Sequence, residues 1–410
     1  MKKFTKTAVM QRSLCALFAA AIAFSVGCNK HNEPKALKDF DQVNLVANND
    51  EHSAAHVDAT LLNAWGLAFS TGGTAWVNST GGHVSEVYDK DGNLIAARPA
   101  VNIPSPGGAT GGAPTGIVFN STATDFLLSN GKSAAFIFVG ADGIISAWNG
   151  PAGNNAILIA NNVATSSYTG LTLAMSGGAN YLYAANFKSG KIDVWDKTWN
   201  PVTWMPFKDN HIPNGFAPFN IQVVGSWLYV TYAKIGPDGR DQPGYGNGFV
   251  DIFNTDGSLV KRFAERGTLN SPWGIAQAPA SFFEDMDQND HKGSGNSGSG
   301  NGGNDNSGPG NNNDNGNGNG GGSGNGIGNG SNDESIILIG NFGDGHINAF
   351  RQNGNFIGLL KTHGHPVWID GLWSLVFPPA TATAIDPNRL YFTAGPEKAS
   401  GGLFGYLIKH

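Results

Sequence analysis

Gly345-HINAF-Arg351, then Asn353-Gly354, then Asn355-FIGL-Leu360: the reading of this stretch decides the fold. Apolar and polar residues alternate in the first run with period two, the pattern of a strand with one face buried. Asn-Gly supplies the positive φ that a type I′ hairpin needs at both central positions. The stretch reads strand, tight turn, strand. The first run recurs as Gly143-IISAW-Asn149, Gly190-KIDVW-Asp196 and Gly248-FVDIF-Asn254, with looser copies at His83-VSEVY-Asp89 and Gly401-GLFGY-Leu407. The turns Asp91-Gly92 and Asp256-Gly257 repeat the dipeptide chemistry, and Asn93-LIA-Ala97 and Ser258-LVKR-Phe263 follow them as second strands of hairpins.

Working outward, two more strands precede each copy. The first of the pair is Asn63-AWGLA-Phe69, Ala113-PTGIV-Phe119, Tyr168-TGLTL-Ala174, Ala217-PFNIQV-Val224, Ser271-PWGIAQ-Ala278 and Ile369-DGLWSLV-Phe377. The second is Thr74-AWV-Asn78, Phe136-IFV-Gly140, Tyr181-LYAAN-Phe187, Leu228-YVTY-Ala233, Ile336-ILIGN-Phe342 and Leu390-YFTAG-Pro396. Repetition of a strand unit at this spacing predicts an all-β six-bladed β-propeller of four-stranded antiparallel blades. Five or seven blades are the neighbouring counts. The last copy has only three strands, whereas Phe40-DQVNLVA-Asn48 has no partner of its own. Pairing it as the outermost strand of the last blade closes the ring and removes its open edges. The predicted propeller spans residues 40–410.

Composition agrees. The chain has 410 residues, a length that closed β architectures reach as one domain. Net charge is −6, which leaves no broad basic surface for nucleic acid. Both cysteines, Cys15 and Cys28, lie before the propeller, so no disulfide, thiolate metal site or cysteine nucleophile belongs to it.

Lys2, Lys3, Lys6 and Arg12 precede an apolar stretch, Leu14 to Val26, too short to span a bilayer. Residues 1–27 therefore read as a signal peptide. Gly27 before Cys28 resembles a bacterial lipobox, in which the cysteine is lipidated after cleavage, although Ser25 stands where Leu is usual. An ordinary cleaved signal peptide is the competing reading. Residues 28–39 read as a flexible tether. The expected location is outside the cell membrane, lipid-anchored to the bacterial envelope on the periplasmic or surface side of the outer membrane, and otherwise secreted. Residues 287–335 are almost wholly Gly, Asn, Ser and Asp and are expected to be disordered, interrupting the fifth blade between its first two strands. In a propeller that connection leaves from the bottom face.

Residues at the start of the inner strands, and in the loops after the second strands, share the opposite, top face. The candidates for ligand binding there are Asn63, Trp65, Asn186, Asn220, Trp273, Asn341, Asp344, Asp370 and Trp373. Amides, acids and rings around a concave mouth are the usual furniture of a ligand site. The structural alternative is that the Asn and Asp residues cap turns and the Trp rings pack between blades. Asp370 is expected in or beside the channel. His363 and His365 could share a metal, but spacing indicates no third ligand. No nucleophile elbow, zincin motif or phosphate loop is present.

The runs Leu62-NAWGL-Ala68, Gly340-NFGDGHINA-Phe350, Asp370-GL-Trp373 and Tyr391-FTAG-Pro396 together resemble an uncharacterised bacterial family of secreted propeller proteins. The resemblance covers about Val43 to Leu407 and implies a six-bladed propeller similar in shape to NHL-type and lactonase-type propellers. It implies no reaction, and the long insert departs from it. Two functions compete. The first is a non-catalytic binding or scaffold module for a glycan, peptide or protein, monomeric, held to the membrane by its N-terminal lipid and needing no cofactor. The second is a metal-dependent hydrolase of the gluconolactonase-like type, with one calcium or zinc ion held by Asn186, Asn220, Asn341 and Asp370. The second requires the oxygens of those four residues to converge.

Overall fold

A computed structural model describes residues 37–98, 100–283 and 335–409. The expected signal peptide, Cys28, the tether up to residue 36 and the insert up to residue 334 lie outside them. The described residues form the six-bladed propeller. Blade 1 comprises Ala64–Phe69, Ala75–Ser79, Val84–Tyr88 and Val101–Asn102; blade 2, Pro114–Phe119, Phe136–Gly140, Ile144–Trp148 and Ile157–Asn161. Blade 3 comprises Tyr168–Ser176, Ala179–Asn186, Lys191–Asp196 and Pro201–Val202; blade 4, Phe216–Val224, Trp227–Lys234, Gly248–Asn254 and Leu259–Glu265. Blade 5 comprises Pro272–Ala278, Ile336–Asn341, Ile347–Arg351 and Phe356–Leu359. Blade 6 takes Leu372–Val376, Leu390–Ala394 and Leu403–Lys409 from the end of the chain and Phe40–Ala47 from its beginning.

The closing strand pairs as the sequence predicts. Phe40–Ala47 runs antiparallel to Leu403–Lys409, from Phe40↔Lys409 to Ala47↔Leu403, with a bulge between Asn44 and Val46. His56–Val57 then adds a short parallel pairing on Val46 and Ala47. One expected strand fails. Asn93–Ala97 makes only the Tyr88↔Leu94 bridge, and the outer strand of blade 1 falls at Val101–Asn102. Asp89 explains this locally: its Oδ1 accepts the Asp91 and Asn93 amides at 2.8 and 2.9 Å, which bends the segment into a turn.

Each inner strand carries an interruption of register at the same place, opposite the top of its second strand. The breaks fall between Ala64 and Leu67, Pro114 and Ile117, Tyr168 and Gly170, Pro218 and Asn220, Pro272 and Gly274, and Leu372 and Leu375. A bulge re-aims the side chain it carries. Here the re-aimed residues are Trp65, Thr115, Thr169, Phe219, Trp273 and Trp373. A small residue follows in most blades because the next inner strand passes close by. A Cβ on Gly116 would lie 2.7 Å from the Leu171 nitrogen, and one on Gly274 2.8 Å from the Trp373 carbonyl oxygen.

The core lies between the blades. Trp76 of blade 1 stacks on Phe136 of blade 2 at 4.0 Å and meets Trp148 at 4.9 Å. Burying rings of this size is the main favourable term, about 2–3 kcal/mol each. At the bottom, Phe282 stacks on Phe40 at 4.9 Å and packs on Phe377, and the Lys409 ammonium donates to the Phe283 carbonyl at 2.9 Å. The segment that precedes the insert thus docks beside the strand that closes the ring.

Candidate functional site

The bulges bring four large rings to the top of the axis. Trp373 stacks on Trp65 at 3.6 Å, and Phe342, from the loop after the second strand of blade 5, stacks on Trp373 at 3.9 Å. Trp273 meets both tryptophans edge-on, at 6.5 and 5.9 Å, and Phe219 and Phe187 extend the cluster. Trp65, the most exposed of the three tryptophans, is only 9% accessible. Below them the channel is lined by Gly66, Gly116, Leu171, Asn220, Ile275 and Leu375, one from each blade, and encloses ≈ 20 Å³. That holds about one water.

Polar groups around the plug are committed to the frame. The Trp373 indole donates to Asn63 Oδ1 at 2.9 Å, and the Trp273 indole to the Thr169 carbonyl at 2.8 Å. The carbonyls at the bulges are bonded by neighbouring blades: Asn78 Nδ2 reaches that of Thr115 at 3.0 Å and Asn220 Nδ2 that of Trp273 at 2.8 Å. Ser374 Oγ reaches that of Trp65 at 2.8 Å, and Thr393 Oγ1 bonds the same oxygen. Trp65 Nε1 and Asn78 Oδ1 are exceptions, both buried with no hydrogen-bond partner among the described residues.

The four proposed metal ligands sit in four blades and are engaged separately. Asn186 Oδ1 accepts the Ser167 and Ser189 amides, each at 3.2 Å, while its Nδ2 donates to Ser166 and Asp193. Asn341 Oδ1 accepts the Asn270 amide at 3.2 Å, and its Nδ2 bonds Asp344 Oδ1 at 3.0 Å. Asp344 also accepts from Asn270 Nδ2, completing a knot inside blade 5. Asp370, expected beside the channel, lies exposed on the rim, where its Oδ2 accepts the Glu397 amide at 2.9 Å. The cause is its position two residues before the inner strand starts at Leu372. With oxygens already bonded to backbone N–H groups, Asn186, Asn341 and Asp370 do not fit a shared cation, and Asn220 is tied through its Nδ2 to the Trp273 carbonyl. Among the described residues no three His, Cys, Asp or Glu side chains are grouped to hold a metal. His363 and His365 are both exposed in a small hairpin outside the blades.

Two buried carboxyl groups escaped the sequence reading. In blade 4, Arg262 bonds both Asp251 and Asp209, and burial pushes the Asp251 carboxyl up to about 6 in spite of the arginine. Asp251 sat unremarked in Gly248-FVDIF-Asn254, and its partner Asp209 lies in an irregular connection with no pattern. At the seam of blades 1 and 6, Thr60 Oγ1 lies 2.6 Å from both Asp58 Oδ1 and Glu86 Oε1, and the Tyr88 hydroxyl donates to Asp58 Oδ2 at 2.8 Å. One hydroxyl hydrogen cannot serve two carboxylates. Burial raises the Glu86 carboxyl, which favours a proton on that side of the shared hydroxyl.

"Uncharacterized protein R648" of Acanthamoeba polyphaga mimivirus is 30% identical over 379 residues, covering 90% of this chain and 80% of the relative. "Uncharacterized protein L690" of the same virus is 31% identical over 388 residues, covering 90% and 86%. The chain belongs to the family of these two proteins. The family's relatives found here are thus viral, where the sequence resemblance led us to expect bacterial ones, and their names give the family no activity. No protein-family model matches the chain. Among solved structures, a streptogramin B lyase aligns with TM-score 0.47 and 11% identity, covering 90% of this chain and 97% of that one. A gluconolactonase from Xanthomonas campestris aligns with TM-score 0.44 and 14% identity, covering 85% and 88%.

Proposed function

We propose that the protein is a non-catalytic binding module that engages a glycan, peptide or protein partner through the rim of its top face rather than through its axis. The observation that supports this most is the aromatic plug. It leaves no concave mouth for a small substrate and turns Asn63, Trp65, Trp273 and Trp373 into structural parts. The amides of Asn186, Asn220 and Asn341, with Asp344, then serve to hold the rim hairpins in shape. What remains available on that face are rings on connections: Trp368, 63% accessible, just before Asp370, and Tyr245, 80% accessible, in the second hairpin of blade 4. Exposed aromatic side chains anchor interfaces out of proportion to their number. Lipidation at Cys28 and attachment to an envelope belong to the same proposal.

The test is a glycan array and an interaction screen with the full chain, compared with Trp368→Ala and Tyr245→Ala. A ligand retained by the native protein and weakened at least about tenfold by either variant supports rim binding. Turnover in a panel of lactones, abolished by a chelator and by Asn186→Ala, would favour the metal-dependent hydrolase instead. Mass analysis of the N-terminal peptide tests the lipid on Cys28.

A further inference from the structure

The outer strand of blade 3 is only Pro201–Val202, and it pairs with just Val194 and Trp195 of the strand Lys191–Asp196. Beyond Val202 the chain leaves the blade edge; Met205 packs toward blade 4 and the Phe207 amide bonds the Gly257 carbonyl at 3.0 Å. The upper half of Lys191–Asp196 is left without an outer neighbour. The Asp196 amide donates outward, to the Asn200 carbonyl at 2.9 Å. With the two-residue period of a strand, the amide and carbonyl of Ile192 point to the same side. No hydrogen-bond partner meets them there among the described residues.

That edge forms one wall of a groove of ≈ 780 Å³, which presents the half-buried Trp199 over the buried rings of Trp195 and Tyr168. Its size falls in the range of real ligand sites. Lys191 and Lys208 line it too, and neither has an ion pair or hydrogen bond among the described residues. The one acid in the groove, Asp193, is already bonded to Asn186 Nδ2 at 2.8 Å and to the Tyr168 hydroxyl at 3.3 Å.

We propose that this groove binds an extended, acidic peptide segment of a partner protein, which adds a strand to the edge of blade 3 over Ile192. An unpaired strand edge offers main-chain hydrogen bonds that only another extended polypeptide reproduces in register. Side chains pointing alternately from the peptide meet Trp199 on one side and the two ammonium groups on the other. The site lies on the flank of blade 3, away from Trp368 and Tyr245, and stands independently of the rim.

The probe is a fluorescein-labelled peptide of alternating Val and Glu, titrated by fluorescence polarisation into the full chain. Its controls are a Val/Lys peptide and the same Val/Glu peptide N-methylated at alternate residues. The expected result is saturable binding of the Val/Glu peptide, weakened at least about tenfold by the Lys191→Glu, Lys208→Glu double variant and unchanged by Trp368→Ala. N-methylation along the pairing edge should abolish it, and hydrogen exchange at the Ile192 amide should be fast in the free protein and slow when the peptide is bound. The proposal is overturned if the Ile192 amide is as protected as that of Val194 before any peptide is added. It is overturned equally if N-methylation leaves binding intact, if neither peptide binds up to about 1 mM, or if cellohexaose occupies the groove in the peptide's place.

Discussion

The indole of Trp373 donates its hydrogen bond to Asn63 Oδ1 across the seam where the sixth blade meets the first. Trp65, stacked face to face on the same Trp373, has an indole hydrogen with nothing to bond. The two rings look equivalent in the sequence, each flanked by a small residue, yet they differ in what a loss of the N–H group would cost.

Replacing Trp with Phe keeps an aromatic ring and removes the donor. At Trp373 the change strands Asn63 Oδ1, and at Trp273 it strands the Thr169 carbonyl, each an unsatisfied buried acceptor worth about 1–3 kcal/mol. At Trp65 it removes a donor that is already unsatisfied. Denaturant unfolding should therefore rank Trp65→Phe as the mildest of the three; a larger loss there than at Trp373 refutes the assignment.

The close approach between inner strands predicts a second contrast. A Cβ on Gly170 would overlap the Asn220 side chain of the next blade, whereas one on Gly107 meets nothing within 4 Å. Gly170→Ala should cost about 1–3 kcal/mol, the range for overpacked core changes, and Gly107→Ala should stay within about 0.5 kcal/mol. Thermal melts of the two variants side by side decide it.

Glu86→Gln tests which side of the Thr60 hydroxyl carries the proton. Gln supplies the donor that Thr60 needs, so Glu86→Gln should cost less than about 1 kcal/mol at neutral pH. Glu86→Ala leaves a cavity and an unmatched hydroxyl and should cost about 2–3 kcal/mol. If Gln proves as damaging as Ala, Glu86 is ionised in the native protein and the proton assignment is wrong.

Asp251 makes stability depend on pH in the opposite sense from most acids. Its carboxyl sits at about 6 in the folded protein against an ordinary value of 3.8. Between those values the folded state binds the proton and the unfolded state does not, so stability falls as pH rises from about 4 to about 6. The contribution is about 1–3 kcal/mol at most. Asp209, held low by its bonds to the His211 amide and to Arg262 against the pull of burial, acts in the other direction and only below about pH 4. Urea unfolding at pH 4, 5, 6 and 7 should show a downward component of slope that Asp251→Asn reduces; equal slopes for both proteins would dismiss the effect.

Much of this architecture was legible because it repeats. Gly345-HINAF-Arg351 and its copies carry the strand period in their own residues, and the spare Phe40–Ala47 strand follows from counting. The candidate residues lie at or beside the starts of inner strands or the ends of second strands. What the sequence did not reveal is how they are used. A bulge adds one residue to a ladder without altering the local alternation enough to be noticed, yet it decides that Trp65 and Trp373 stack on the axis instead of lining an open mouth. The pairings of Asp251 with Arg262 and of Glu86 with Thr60 bridge different elements, so no local pattern announces them. The Ile192 edge is invisible for the same reason: it depends on where Val202 leaves its neighbour.

The bulge carbonyls of Thr115, Trp273 and Trp65 accept bonds from the blade before them in the ring, so these blades do not satisfy their own backbone. Damage to one repeat, by a protease cut or an oxidised ring, therefore strips a buried acceptor next door as well as the site of injury. Such a molecule has little tolerance for partial failure: it persists whole or is cleared whole, and its lifetime in a cell is set by its least secure seam.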